Sequence, residues 1–391
     1  MTTTTGRPRA GAHLTERQLD ELAREVDAIR AEVTGRLGAA DARYIRDTIA
    51  LQRGLEAAGR ALLLAGRRPA AWVAGVGMLS VAKILENMEI GHNVIHGQWD
   101  WLADPDIHST TWEWDNVAPA RAWKHTHNDL HHTWTNVVGR DDDVGYNLLR
   151  VSEQQPWTPR ALANVPLNLL LAPFFEWGIA IYGLELVEYR EGRKPRAAFR
   201  RDLAEFARKA AWQVLKDYGA TPLLAQLVSR SGLAALTGTL AANLVRNLWT
   251  HAVIFCGHFP DGIETFPEEA VEGESRGQWC VRQLTGSGNI DGGPLLHVLT
   301  GHLSFQIEHH LFPDLPSNHY PEVAPRVRAL CARYGLPYTS GPLPRQVWQT
   351  WRSIGRLSLP DAAVARLRAA AGRRRAARTR RASVTDRQSG S

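Results

Sequence analysis

The sequence predicts an all-α protein in which short apolar membrane helices carry a larger polar helical part. Three observations predict it: three apolar segments edged with tryptophan, a basic stretch between the second and third, and histidines recurring at helical spacing. Length and composition leave room for such a fold. The chain has 391 residues, 44% hydrophobic and 22% charged, enough for one large domain or two ordinary ones, and neither disordered nor fibrous in character. Its three cysteines (Cys256, Cys280, Cys331) form no C-x-x-C pair, which excludes a disulfide framework and a cysteine zinc site and fits a reducing cytosol. The first 50 residues are charged throughout and offer no signal-peptide core.

In chain order, residues 1–50 read as a polar helical extension, Thr15–Arg36 being rich in Glu, Arg, Leu and Ala. Residues 51–345 hold the apolar segments and nearly all the histidines. Residues 346–391 form a C-terminal extension with an arginine-rich tail. Pro69–Ala82 is charge-free, with a helical pattern continuing to His96. Ala161–Phe175 is also charge-free, and the apolar run resumes after Glu176. Pro222–Phe259 contains only Arg230 and Arg246 as formal charges. Trp72, Trp157, Trp177 and Trp249 lie near the ends of these segments, where amphipathic rings suit a bilayer interface. No charge-free run reaches the ~18 residues of a long transmembrane helix, so the spans are expected to be short.

Nine Lys and Arg residues fall between Glu185 and Thr221, which assigns that stretch to the cytosolic side. Tyr218–His258 then reads as a helical hairpin turning near Ser229–Gly232. Pro166–Val187 is expected to lie in the interface or re-enter, and Leu51–Gly66 to pair with Pro69–Glu89. The net charge of +6 is local: from Arg366 onward there are nine arginines against one acid, and the remainder holds 37 basic and 39 acidic residues. Such a tail is either solvated or drawn to an anionic membrane surface. No DNA-reading motif accompanies it, so nucleic acid is not an expected partner.

Fifteen histidines are present, seven of them between His92 and His132. His92 and His96 are an i, i+4 pair, side by side on a helix face. His127, His131 and His132 repeat the pair and add a neighbour about 100° around the helix. Gln306, His309 and His310 form a third cluster. Imidazole-rich, thiolate-free coordination suits iron, zinc, copper or nickel rather than calcium or magnesium, and so many histidines exceed the needs of one ion. The set reads as a dinuclear redox site. A carboxylate-bridged di-iron bundle requires two E-x-x-H motifs, and Glu89–His92 alone fits that pattern.

H-x-x-x-H, then H-x-x-x-HH about 30 residues on, then Q-x-x-HH, resembles the membrane fatty-acid desaturase superfamily, from about Trp72 to Tyr338. The string Gln306-Ile307-Glu308-His309-His310-Leu311-Phe312-Pro313 resembles the front-end desaturases in particular, although three residues rather than two separate His127 and His131. The resemblance implies an integral membrane helical fold with a cytosolic helical cap holding two Fe2+ ions, on the cytosolic face of the plasma membrane. It implies O2-dependent insertion of a double bond into a fatty acyl chain carried by CoA, carrier protein or lipid. The expected ligands are His92, His96, His127, His131, His132, His309 and His310, completed by a histidine at the cytosolic end of the last crossing: His258, with His251 and its i, i+4 neighbour Asn247 as the alternative. Gln306 is a further candidate ligand.

Asp129, Glu308, Glu89 and the run Asp141–Asp143 are candidates to orient the imidazoles, the run being equally readable as a solvated turn. The six tryptophans between Trp99 and Trp134 read as the wall of an acyl tunnel, as interface anchors or as core. No cytochrome b5 His-Pro-Gly-Gly and no flavin or nicotinamide fingerprint is present. Electrons are therefore expected from a separate donor, such as a ferredoxin or a cytochrome b5-like protein with its reductase. Two alternatives remain at this stage: a membrane di-iron hydroxylase of alkyl chains, and a histidine-rich metal-binding or transport protein.

Overall fold

The computed structural model describes residues 9–366, so the arginine-rich run beyond Arg366 lies outside the described residues. The described chain is helical, with four short strands. Helix α1 (Glu16–Thr34) opens on a capping box in which Thr15 and Gln18 satisfy each other's backbone N–H groups. Leu19, Leu22, Val26, Ile29 and Val33 recur at helical spacing along it and are buried with residues of α9 (Arg276–Thr285), α10 (Gln306–Leu311) and α11 (Tyr320–Tyr334). The polar N-terminal segment is thus half of a hydrophobic cap. Helix α2 (Ala39–Leu64) runs through residue 50, and α12 (Leu343–Leu357) through residue 346.

Helix α2 packs tightly on α3 (Pro69–Leu85), because a Cβ on Gly59 would lie 2.9 Å from the Leu79 nitrogen and 3.1 Å from the Gly75 oxygen. Continued to Ile95, α3 is long and apolar enough to cross a membrane. Helices α4 (Asn164–Leu171) and α5 (Phe175–Tyr182) belong to a helix pair bent by 118°, a shape shared by a broken span and a re-entrant segment. Helix α6 (Arg196–Val214) continues through a π-helical turn into α7 (Thr221–Ser229). Arg230 takes a left-handed conformation (φ 54°), and α8 (Gly232–His258) returns. The hairpin expected at Ser229–Gly232 is therefore observed.

Two departures concern local structure. The glycine-rich stretch 286–293 contains β3 (Asn289–Asp291), which pairs in parallel with β4 (Ser340–Pro342), and β1 (Val137–Val138) likewise pairs with β2 (Phe266–Pro267), so an otherwise all-α chain carries short strands. The helix that carries the first histidine pair is not regular either, being π-helical over Glu86–His92. Away from the cap, large apolar side chains face outward in number: Leu169 (60% exposed), Leu227 (74%) and Leu233 (75%) on α4, α7 and α8 are examples. Between the α2–α3 pair and the α6–α8 unit, charges are buried in pairs. Lys83 Nζ lies 2.8 Å from Asp217 and 3.6 Å from Asp115, and Arg60 lies 3.0 Å from Asp217.

Candidate metal centre

The first box ends a π-helical segment, Glu86–His92, and the second is carried by another, Lys124–His131. A π-turn adds one residue to the helical circuit and re-aims the side chains beyond it. Gly91 permits the first: a Cβ there would meet the Glu86 oxygen at 2.7 Å and Trp114 at 2.9 Å. The third box rides on α10, and His258 ends α8. These four segments bring eight imidazoles together.

Two all-imidazole groups of mutually close ligand atoms result, each within 4.8 Å: His92, His96, His127 and His309, and His131, His258 and His310; a third group, His127, His131 and Asp143, links them. His127 and His131, an i, i+4 pair whose rings stack at 4.9 Å, meet in the group with Asp143, while each also belongs to one of the two imidazole groups. His132 is in neither group but stands between them, its ring 4.6 Å from His96 and 4.5 Å from His310. Gln306 Nε2 lies 3.1 Å from both His258 Nε2 and His310 Nε2, beside the second group.

The rings are held from outside. On five of them Nδ1 meets a protein partner: Asn93 Oδ1 at 2.8 Å for His92, Asp143 at 3.2 Å for His127, Asp141 at 2.9 Å for His131, the Tyr320 hydroxyl at 3.3 Å for His309, and Thr135 Oγ1 at 3.2 Å for His310. This fixes ring orientation and turns Nε2 inward. Among the described residues, buried ring nitrogens of His92, His96, His127, His131, His132, His258 and His309 have no hydrogen-bond partner. Left so, each costs about 1–3 kcal/mol, and over seven rings that cost argues for a ligand. Neutral nitrogen donors with no thiolate among them fit iron.

Burial holds His127, His132, His309 and His310 well below the ordinary imidazole range, so they stay neutral and free to ligate. His131 goes the other way: burial lowers it, but Asp141 and Asp143 outweigh that and raise it. Asp143 is pushed up to about 7, chiefly by burial. The aspartate run is thus no solvated turn, since Asp141 and Asp143 are buried against box imidazoles.

Other expected residues lie elsewhere. Asp129 is exposed and meets only His125, at 3.4 Å. His251 stacks on Phe255 and bonds Asn168 at 2.9 Å, while Asn247 donates to the Pro173 oxygen at 2.8 Å; both pin the bent α4–α5 pair and stand apart from the two groups. Glu308 accepts from Asn289 and from the Tyr338 hydroxyl, tying α10 to β3 instead of orienting a ring; burial pushes its carboxyl up to about 7. Glu89 receives the Tyr44 and Ser317 hydroxyls and pairs with His302 at 2.8 Å, so it braces the first box from behind. Asn93, Thr135 and Tyr320 were not foreseen. Asn93 adjoins His92 in sequence, whereas nothing local points to the other two.

A largely apolar cavity reaches the histidines. His92, His127, His131 and His258 line it together with Trp114, Trp123, Phe175, Ile179 and Ile254. Two of the six tryptophans between Trp99 and Trp134 thus wall it, while Trp99 is core. The fatty acid desaturase family model matches residues 70–342, which contain all three boxes and His258. The chain belongs to the fatty acid desaturase family. Along most of its length it is similar to the NADPH-dependent stearoyl-CoA 9-desaturase of Mycobacterium tuberculosis, 52% identical over 354 residues, 90% of this chain and 82% of that one. Shorter matches are to fatty acid desaturase 3 of Bos taurus, 34% identical over 108 residues (28% of this chain, 23% of that one), and to a fatty acid desaturase 2-like protein of Mus musculus, 39% over 84 residues (22% and 17%). The chain is an oxidoreductase, an acyl desaturase, and the hydroxylase and metal-transport alternatives fall away.

Proposed function

We propose that this desaturase is a membrane-embedded di-iron enzyme that places a double bond nine carbons from the carboxyl end of a stearoyl-type acyl-CoA, with electrons passed from NADPH by a separate protein. The observation that carries the reading is the two groups of inward-turned, unpartnered imidazole nitrogens beside an apolar cavity. His92, His96, His127 and His309 would hold one iron, and His131, His258 and His310 the other. His132 stands between, and Gln306 is a further candidate beside His258 and His310. Bound iron would supply O2 activation and the oxidising power that removes hydrogen from an unactivated methylene.

The chain's own residues do the rest. Trp114, Trp123, Phe175 and Ile254 exclude water and hold the acyl chain in a fixed register, so that one pair of neighbouring methylenes meets the centre. Asn93, Asp141, Asp143, Thr135 and Tyr320 hold the rings in one orientation. Across the reaction the chain loses two hydrogens and O2 leaves as two waters, with two electrons and two protons from outside the substrate. The chain shows no nicotinamide fingerprint, which supports a separate electron carrier, of the ferredoxin or cytochrome b5 type.

Exposed leucines on α4, α7 and α8 match a bilayer as their surroundings, and the basic stretch Glu185–Thr221 supports a cytosolic face for the boxes, at the plasma membrane. The segments 1–50, 51–345 and 346–391 are kept as cap-forming extension, desaturase body and C-terminal extension. Fatty-acid profiling by gas chromatography and mass spectrometry, with and without the gene, tests the reading. The expected product carries the double bond at carbon nine of the eighteen-carbon chain, and a hydroxylated product or another position would overturn it.

A further inference from the structure

The cavity beside the histidines also meets a carboxyl group. Asn87, Thr250 and Glu176 are among the residues that line it. Behind them Arg246 Nη2 lies 2.5 Å from Glu176 Oε1, with side chains 1% and 8% exposed. The same Nη2 donates to Asn243 Oδ1 at 3.3 Å, while Nε and Nη1 of Arg246 have no hydrogen-bond partner. Asn247 Oδ1 accepts from the Glu176 backbone N–H at 3.4 Å, fixing α5 against α8 at this level. A hydrocarbon chain cannot enter such a layer without separating two buried opposite charges from each other.

Distances along α8 give the layer a meaning. Thr250 precedes His258 by eight residues and Arg246 by twelve, about 12 and 18 Å along the axis at 1.5 Å per residue. An extended saturated chain of tetrahedral carbons advances about 1.25 Å per carbon, so the distance from His258 to Thr250 holds about ten carbons. A charged or carrier-bound carboxyl end stays at the watery rim, which leaves the methyl end to point inward.

We infer that the Glu176–Arg246 pair, with Thr250 above it, is the stop against which the methyl end of the acyl chain rests, and that it sets the longest chain the enzyme accepts. The inference rests on the acyl desaturase reading and adds to it the residues that choose chain length. Glu176→Ala with Arg246→Ala removes both charges together and deepens the cavity without leaving one ion unpaired. Thr250→Phe fills it.

The test supplies saturated acyl chains of sixteen to twenty-two carbons to cells lacking any other desaturase and measures unsaturated products by length. The double variant is expected to raise the ratio of twenty-two- to eighteen-carbon product at least about tenfold, and Thr250→Phe to lower the ratio of eighteen- to sixteen-carbon product at least about tenfold, in line with what a few methylenes are worth in a fitted pocket. The double bond keeps its distance from the carboxyl end. Unchanged length ratios with measurable product overturn the inference. Should both variants be inactive, thermal stabilisation of the purified variants by acyl-CoAs of the same lengths decides, and a length optimum equal to the parent's overturns it. An unaltered chain that makes no double bond in any substrate would refute the desaturase reading itself, a different result.

Discussion

Two regions of this molecule bury polar side chains, and they do so in opposite ways. In the layer between the α2–α3 pair and the α6–α8 unit, polar groups find one another: Lys83 pairs with Asp217 and Asp115, Arg60 pairs with Asp217, and the neutral Asn243 amide hydrogen-bonds Asp217 and Tyr218. At the junction with the cap, eight imidazoles converge, and seven of them present a buried nitrogen with no partner. Mutual pairing is what a structural polar layer needs. Convergent unpaired donors of one chemical kind are what a metal needs. Arg246 shares both features: it pairs with Glu176, which lines the cavity, and its Nε and Nη1 have no hydrogen-bond partner.

The comparison can be broken most severely at a ring. His310→Ala removes a donor shared by the second group and is expected to reduce desaturation to background and lower bound iron, measured by product analysis and metal content. Full activity in that variant would dismantle the site. Orientation should cost less: Asp141→Asn keeps the shape but weakens the hold on His131 Nδ1, and a loss of about 10–100-fold in metal affinity or activity is expected. Lys83→Met strikes the paired region instead. It leaves Asp217 and Asp115 short of a cation, with a loss of about 3–5 kcal/mol of stability read by thermal unfolding in detergent, while iron per folded chain stays unchanged. Loss of iron there without loss of stability would erase the distinction between the two regions. The smallest effect on activity is expected at His319→Ala: its ring pairs with Asp41 and Glu322 in the cap, outside the imidazole groups, and activity per folded chain should stay within about twofold.

The rings were legible in the sequence because their spacing is local: an i, i+4 pair shows in a string of letters, as does a helical hairpin with Ser-Arg-Ser-Gly at its turn. What aims them was not. The π-turns at Glu86–His92 and Lys124–His131 leave no mark in the spacing; at the first, Trp114 packs against Gly91. Tyr320 and Thr135 reach His309 and His310 from 11 and 175 positions away in sequence. Asp129 was misplaced by proximity alone. Two residues from His127 and two from His131, it must point to the opposite side of the helix. The polar layer between the α2–α3 pair and the α6–α8 unit was the least legible, since its ion pairs join segments that each read as merely apolar or merely charged. The third box is a further lesson: its Q-x-x-HH string resembles front-end enzymes, whereas the relative matched along most of the chain is named a 9-desaturase.

We propose that the two groups of imidazoles are two metal sites of one oxidising centre. Metal analysis combined with Mössbauer spectroscopy on the chain purified in mild detergent with 57Fe tests it most directly. The account predicts about two irons per chain, in nitrogen-rich environments, with desaturation rising and falling with iron content. A preparation that desaturates with a single zinc and no iron would contradict it.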